Sequence, residues 1–297
     1  MIRSPVVFLT GGLVPAPSWP RFEKAITQNR ASRGPVSGLA AGIGVSMTED
    51  LLSLRAMVVS HENWLRELFQ RAASASVLPT EIIDGGDGAV LPESGADLVY
   101  LDGELPPEHA ARLVGQLKAA PKPPFIALLA AGAAAPSFEA QFDADGLAGR
   151  PSRVEEARWL LDRSLRMRLT TRVLVIDDSA TMRSIVRKTL TATRFPLEVG
   201  EASDGAAAID LVGPGDFDVI FIDQNMPDVS GLETLAKIKQ VKPDVTAVIM
   251  SSTGDAELAA GARALGAAFL KKPFFPADIE NVLCSFYGLR VLNPKRG

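Results

Sequence analysis

Asp177-Asp178, Asp223, Ser251 and Lys272 follow one another in the second half of the chain, each at or just beyond the end of a short apolar run. Paired carboxylates with a third further along make a hard-oxygen site suited to Mg²⁺, an ion that keeps several waters and needs only one or two carboxylates plus phosphate oxygens. Phosphoryl transfer asks little covalent help of a protein; an in-line nucleophile and positive charge against the equatorial oxygens suffice. Asp223 would supply the nucleophile, Lys272 and the metal the positive charge, and the Ser251 hydroxyl a hydrogen bond. The pattern reads as a site that takes a phosphoryl group onto an aspartate.

Such a site needs elements that bring four distant segments together. The runs are Val173–Ile176, Val219–Ile222, Ala247–Met250 and Ala268–Leu270, and between them lie segments with helical spacing, such as Met182, Ile185, Val186 and Leu190. Alternating strand and helix predicts a parallel sheet covered on both faces. Ligands of such sheets bind outside the carboxyl ends of the strands, where all four polar elements fall. Singly, each has a blander reading: Asp177-Asp178 as helix capping and solvated charge, Lys272-Pro273 as a turn, Ser251 as a strand end. Only their combination is specific.

The segments Val173-Leu-Val-Ile-Asp-Asp-Ser-Ala-Thr-Met-Arg183, Ile222-Asp-Gln-Asn-Met-Pro-Asp228, Gly231-Leu232 and Lys272-Pro-Phe274 together resemble the receiver domain of two-component response regulators, most closely the chemotaxis type. The resemblance implies a flavodoxin-like strand order 2-1-3-4-5. It makes Asp223 the phosphoacceptor, Asp178 a direct Mg²⁺ ligand, Asp177 its mostly water-mediated neighbour and the Asn225 main-chain carbonyl a further ligand. Lys272 would pair with the phosphoryl group, Ser251 would be the switch hydroxyl and Phe269 the switch aromatic. Two departures stand out: Ser252 and Thr253 follow Ser251 directly, so the switch position can slide, and the stretch from Gly266 to Lys272 is one residue shorter than usual.

The first half repeats the plan without the chemistry. Arg55–Val59, Asp97–Leu101 and Phe125–Leu129 are short apolar strands; Asp102 precedes Asp223 by 121 positions, and Arg150-Pro151 precedes Lys272-Pro273 by 122. This fits an internal duplication. Ser60-His61 stands where the second half has Asp177-Asp178, and Ala130 where it has Ser251, so this copy is expected to be degenerate and to bind Mg²⁺ poorly. His61 with Asp102 supplies too few ligands for a transition-metal site.

The expected architecture is therefore α/β: two flavodoxin-like (βα)5 receiver domains with parallel five-stranded sheets and helices on both faces. Their bounds are 54–168 for the degenerate copy and 171–292 for the phosphoacceptor. Residues 1–50, rich in Gly, Pro, Ser and Ala, are expected to be disordered. Pro5 to Val14 makes a poor secretory signal because of Pro5 and Gly11-Gly12, and Met47 is an alternative initiator. An amphipathic helix from Val154 to Met167 closes the first copy, with Arg163, Arg166, Arg168 and Arg172 as a basic terminus. A formal charge of −4 among 297 residues argues against non-specific nucleic-acid binding, and the single cysteine, Cys284, fits a reducing compartment. No run reaches the roughly 18 apolar residues of a spanning helix. A cytoplasmic protein without membrane insertion follows.

With 25 residues after Lys272, no DNA-binding or catalytic output domain is expected. The expected role is a response regulator that takes its phosphoryl group from a histidine kinase or phosphotransfer protein and signals by binding a downstream protein through residues 255–288, without being an enzyme in its own right. The alternatives are a constitutive scaffold with a vestigial site and an aspartyl-phosphate hydrolase. The second would need an acid/base beside the nucleophile, where Asn225 stands.

Overall fold

The computed structural model describes residues 54–89, 95–130 and 143–291. The expectations for residues 1–50, for Met47 as initiator and for Pro5 to Val14 lie outside the described residues. The chain divides into two compact units between Leu165 and Arg166.

The second unit alternates β6 (Thr171–Ile176), α4 (Ala180–Thr191), β7 (Leu197–Ala202), α5 (Gly205–Val212), β8 (Val219–Asp223), α6 (Gly231–Val241), β9 (Thr246–Ser251), α7 (Ala256–Ala264), β10 (Ala268–Lys271) and α8 (Pro276–Phe286). Its five strands are all parallel, in the order β10-β9-β8-β6-β7. This is the flavodoxin-like 2-1-3-4-5 arrangement. The three central strands are continuous apolar runs because helices cover both faces. Val173–Ile176, Val219–Ile222 and Val248–Met250 are fully buried, and each such side chain contributes roughly 1.5–3 kcal/mol. Side-chain caps start four of the five helices: Ser179, Asp204, Ser230 and Asp255 each accept from a backbone N–H of the first turn.

The first unit contains β1 (Leu54–Val59), α1 (Asn63–Ser74), β2 (Thr80–Asp84), β3 (Leu98–Asp102), α2 (Pro107–Lys118), β4 (Phe125–Ala130), β5 (Gly146–Gly149) and α3 (Val154–Ser164). These strands also run parallel in the order β2-β1-β3-β4-β5. The helix expected to reach Met167 ends sooner: α3 stops at Ser164 and a single 3₁₀ turn, Leu165–Arg168, follows. Arg172, expected in the basic helix terminus, lies instead on β6, where it pairs with Glu198 at 3.5 Å and stacks over the Phe217 ring. Among the described residues no helix is long and apolar enough to cross a membrane.

Register makes the two sheets comparable residue by residue. Ile176 pairs with Ile222 one residue before Asp177 and Asp223; Val59 pairs with Leu101 one residue before Ser60 and Asp102. Asp223 pairs with Met250 and Asp102 with Leu129, placing Ser251 and Ala130 at equivalent positions. Phe269 pairs with Ile249 and Leu147 with Leu128. Lys272 N–H donates to Ser251 O at 2.7 Å as Arg150 N–H does to Ala130 O at 2.9 Å.

Candidate functional site

In the second unit the carboxyl ends of β6, β8, β9 and β10 bring Asp177, Asp223, Ser251 and Lys272 to one edge of the sheet. Asp177 is 1% and Asp223 6% exposed. The Lys272 ammonium joins them, donating to Asp223 Oδ1 at 2.6 Å and Asp177 Oδ2 at 2.9 Å. The remaining oxygens are held by the backbone: Asp223 Oδ2 accepts from Asn225 N–H at 2.8 Å, and Asp177 Oδ1 from Ser179 N–H at 3.0 Å. Burial pushes the Lys272 pKa down, but the bonds to Asp223 and Asp177 outweigh it and leave the ammonium above the ordinary lysine value. A single cation thus balances one of three nearby carboxylates, counting the exposed Asp178.

The backbone tightens around this edge. Gly231, the first residue of α6, approaches so closely that a Cβ there would lie 2.5 Å from Asp223 O, so the helix start is wedged against the end of β8. Arg183 fixes the acidic loop from below: its Nη1 donates to Asp177 O at 2.8 Å and Asp178 O at 3.4 Å, while Nε holds Glu201 on β7 at 3.1 Å. Ser251 is fully buried, with its hydroxyl 3.1 Å from the Thr253 hydroxyl, and the exposed Ser252 lies between them. Phe269 is buried in the core that includes Ile249, Ala259 and Ala262.

Among the described residues no three His, Cys, Asp or Glu side chains stand in metal-holding geometry, and Asp178 is exposed. The donor set nevertheless suits Mg²⁺, because carboxylate oxygens and an excess of negative charge are what a hard, water-retaining cation requires. Asp177, Asp178, Asp223 and the Asn225 carbonyl are the groups that would hold it.

Lys272→Ala should leave Asp177 and Asp223 as buried, uncompensated like charges and destabilise the second unit by about 3 kcal/mol. Mg²⁺ should recover part of that loss, since a ligand bound only by the folded state stabilises it; melting temperatures with Mg²⁺ and with chelator would check both. Because the folded-state pKa of Lys272 is raised, its contribution is fully present below the ordinary 10.5 and is lost as pH rises through the higher folded value.

The same edge of the first unit is filled by a guanidinium. Arg150 Nε and Nη2 grip Asp102 Oδ1 and Oδ2 at 2.9 and 3.0 Å, and Nη2 also reaches Glu62 at 2.7 Å. The Ser60 hydroxyl donates to Asp102 Oδ2 at 2.5 Å and Glu104 N–H to Oδ1 at 3.2 Å, so four donors converge on a carboxylate only 1% exposed. The Trp64 ring lies over the guanidinium at 5.0 Å. Ser60, Asp102 and Arg150 therefore come together; His61 is exposed and takes no part. Sequence reading missed Glu62 and Trp64 here and assigned no role to Arg183 in the second unit. Each lies on or just before the first turn of the helix after the central strand, where local pattern says solvated face.

Comparison with known proteins matches residues 173–283 to the family described as the response regulator receiver domain. The chain is 28% identical over 113 residues to the chemotaxis protein CheY of Thermotoga maritima, covering 38% of this chain and 93% of that protein. It is 36% identical over 116 residues to the chemotaxis protein CheY homolog of Campylobacter jejuni, covering 38% of this chain and 88% of that one. It is also 38% identical over 107 residues to a protein-glutamate methylesterase/protein-glutamine glutaminase of a Shewanella species, covering 35% of this chain but only 30% of that protein.

Proposed function

Because the chain belongs, through residues 173–283, to the response regulator receiver family, we propose that Asp223 accepts a phosphoryl group from a phosphohistidine of a histidine kinase or phosphotransfer protein, in a step that depends on Mg²⁺. The observation that carries this reading is the Lys272 ammonium lying 2.6 Å from Asp223 and 2.9 Å from Asp177. It is a positive charge already aimed at the place where phosphoryl oxygens would gather. In the transfer, an Asp223 oxygen forms the new O–P bond as the donor's N–P bond breaks, and the departing imidazole takes up a proton. Bound Mg²⁺ would neutralise phosphoryl charge against the carboxylates. Asn225 N–H holds Asp223 Oδ2 in place, Lys272 passes from carboxylate to phosphoryl oxygen, and the Ser251 hydroxyl leaves Thr253 to donate to the phosphoryl group. Phosphorylation favours another arrangement of Ser251 and Phe269 only by the difference in these contacts.

The output we assign is protein binding through α7, β10 and α8, where Phe275 is 64% exposed. The chemotaxis relatives support it, because the matched stretch is 93% and 88% of their own lengths. The reading makes the protein a cytoplasmic phosphoacceptor rather than a turnover enzyme: beside Asp223 stands Asn225, whose backbone serves the site and whose side chain is no acid or base.

For the first unit, the filled pocket supports a second reading. Its shared strand order and register, with Ser60, His61, Ala130, Leu147 and Arg150 at the positions of Asp177, Asp178, Ser251, Phe269 and Lys272, fit a receiver-like module that has become a scaffold. Arg150 already engages both oxygens of Asp102, the carboxylate that an acceptor would need free.

Intact-protein mass after incubation with Mg²⁺ and acetyl phosphate tests both readings. One phosphoryl group per chain, retained in Asp102→Asn, is expected. A chain that gains none, or loses it with Asp102→Asn, would overturn the assignment of the acceptor.

A further inference from the structure

The chain has two histidines, His61 and His109, 48 positions apart. The fold of the first unit brings them together, with ring centroids 6.0 Å apart and planes inclined by 53°. His61 follows β1, at the register position that Asp178 holds in the other unit; His109 lies in the first turn of α2. His109 Nε2 is shielded from solvent and has no hydrogen-bond partner among the described residues. The Asp87 carboxylate has its pKa lowered, first by the Ala89 N–H bond and to a smaller degree by His61 and His109. Its Oδ1 takes the Ala89 N–H at 2.9 Å.

We propose that His61 and His109 form a site for a borderline divalent transition ion such as Zn²⁺ at the mouth of the first unit. With Zn–N near 2.0–2.1 Å, two imidazoles on one tetrahedral ion place their ring centres roughly 5–6 Å apart, which the observed spacing of 6.0 Å approaches. Imidazole favours Zn²⁺, Ni²⁺ and Cu²⁺ over Mg²⁺. Where the second unit offers hard carboxylate oxygens, this edge offers two imidazole rings. Asp102 is not a ligand, because Arg150, Ser60 and Glu104 already take both its oxygens. No three such side chains are preformed as a cage among the described residues; water completes the coordination, and the affinity is that of a two-imidazole chelate.

The test is calorimetric titration of the full chain with Zn²⁺, with Mg²⁺ in excess to occupy the carboxylate edge, on wild type, His61→Asn, His109→Gln and Asp223→Ala. Binding of one Zn²⁺ per chain, weakened at least tenfold by either histidine substitution and unchanged in Asp223→Ala, is expected. Electron spin resonance of the Cu²⁺ form should show coupling to two imidazole nitrogens. Binding that survives both histidine substitutions, disappears with Asp223→Ala, or is too weak to detect in wild type would overturn the proposal, as would coupling to fewer than two nitrogens.

Discussion

Asp223→Ala should take up no phosphoryl group from acetyl phosphate, with a fall in labelling rate on the order of a thousandfold or more, to the background of non-specific acylation. The effect is large because the substitution removes the atom that bonds to phosphorus, which no neighbour replaces. Asp177 is buried and already shared between Lys272 and Ser179 N–H. Asp178 is exposed and, among the described residues, has no hydrogen bond that would hold its carboxylate at the position of the Asp223 oxygens. Asp223→Asn makes the same point with less disturbance, because the amide keeps the shape and can still accept from Asn225 N–H. Lys272 retains its bond to Asp177 in either variant, so the unit should stay folded, which far-UV circular dichroism would verify. Labelling of Asp223→Asn at the wild-type rate would place the acceptor elsewhere and remove the basis of the proposed switch.

The second large effect is on stability. Arg150→Leu should destabilise the first unit by about 3–5 kcal/mol, the usual cost of removing one partner from a buried ion pair. Asp102 is 1% exposed and would lose both of its guanidinium bonds while keeping only Ser60 Oγ and Glu104 N–H. Arg150→Lys should recover only part of the loss, because an ammonium cannot span both carboxylate oxygens and reach Glu62 together. The pair Asp102→Asn with Arg150→Leu should lie well above the sum of the single changes, since no uncompensated charge is left. Denaturant unfolding followed by tryptophan emission reads this out cleanly. The second unit has no tryptophan, whereas Trp64 sits against the Arg150 guanidinium and Trp159 is on α3. A loss below about 1 kcal/mol would mean that the pocket is hydrated enough for the guanidinium to be dispensable.

Much of this was legible before any coordinates. The central strands of both units declared themselves as continuous Val, Ile and Leu runs, because a parallel sheet covered on both faces leaves no polar face to interrupt them. Ala268–Leu270 at one edge did so too, but the other edge strands did not. Leu197–Ala202 is broken by Glu198, Gly200 and Glu201, Thr80–Asp84 is half exposed, and Gly146–Gly149 has two glycines among four residues. Such segments become strands by pairing with a formed neighbour rather than by their own pattern. The end of α3 was misjudged by a turn because the apolar spacing continues through Leu165 and Met167 after the helix has tightened to 3₁₀ geometry.

The site divides along the same line. Residue types at strand ends were enough to name Asp177, Asp178, Asp223, Ser251 and Lys272, since a strand followed by a helix has only one end at which a loop residue can meet its counterparts. Sequence alone also showed that the first unit has Ser60-His61 rather than an acidic pair after its first strand, and an arginine at position 150. What the arginine does there only the tertiary structure decided: a guanidinium gripping Asp102 bidentately, tied to Glu62 and covered by Trp64, depends on directions across four segments that no linear spacing encodes. The meeting of His61 and His109 is of the same kind. Chemistry is written in residue types, but which groups compensate one another's charge is set by the angles at which packed elements deliver them.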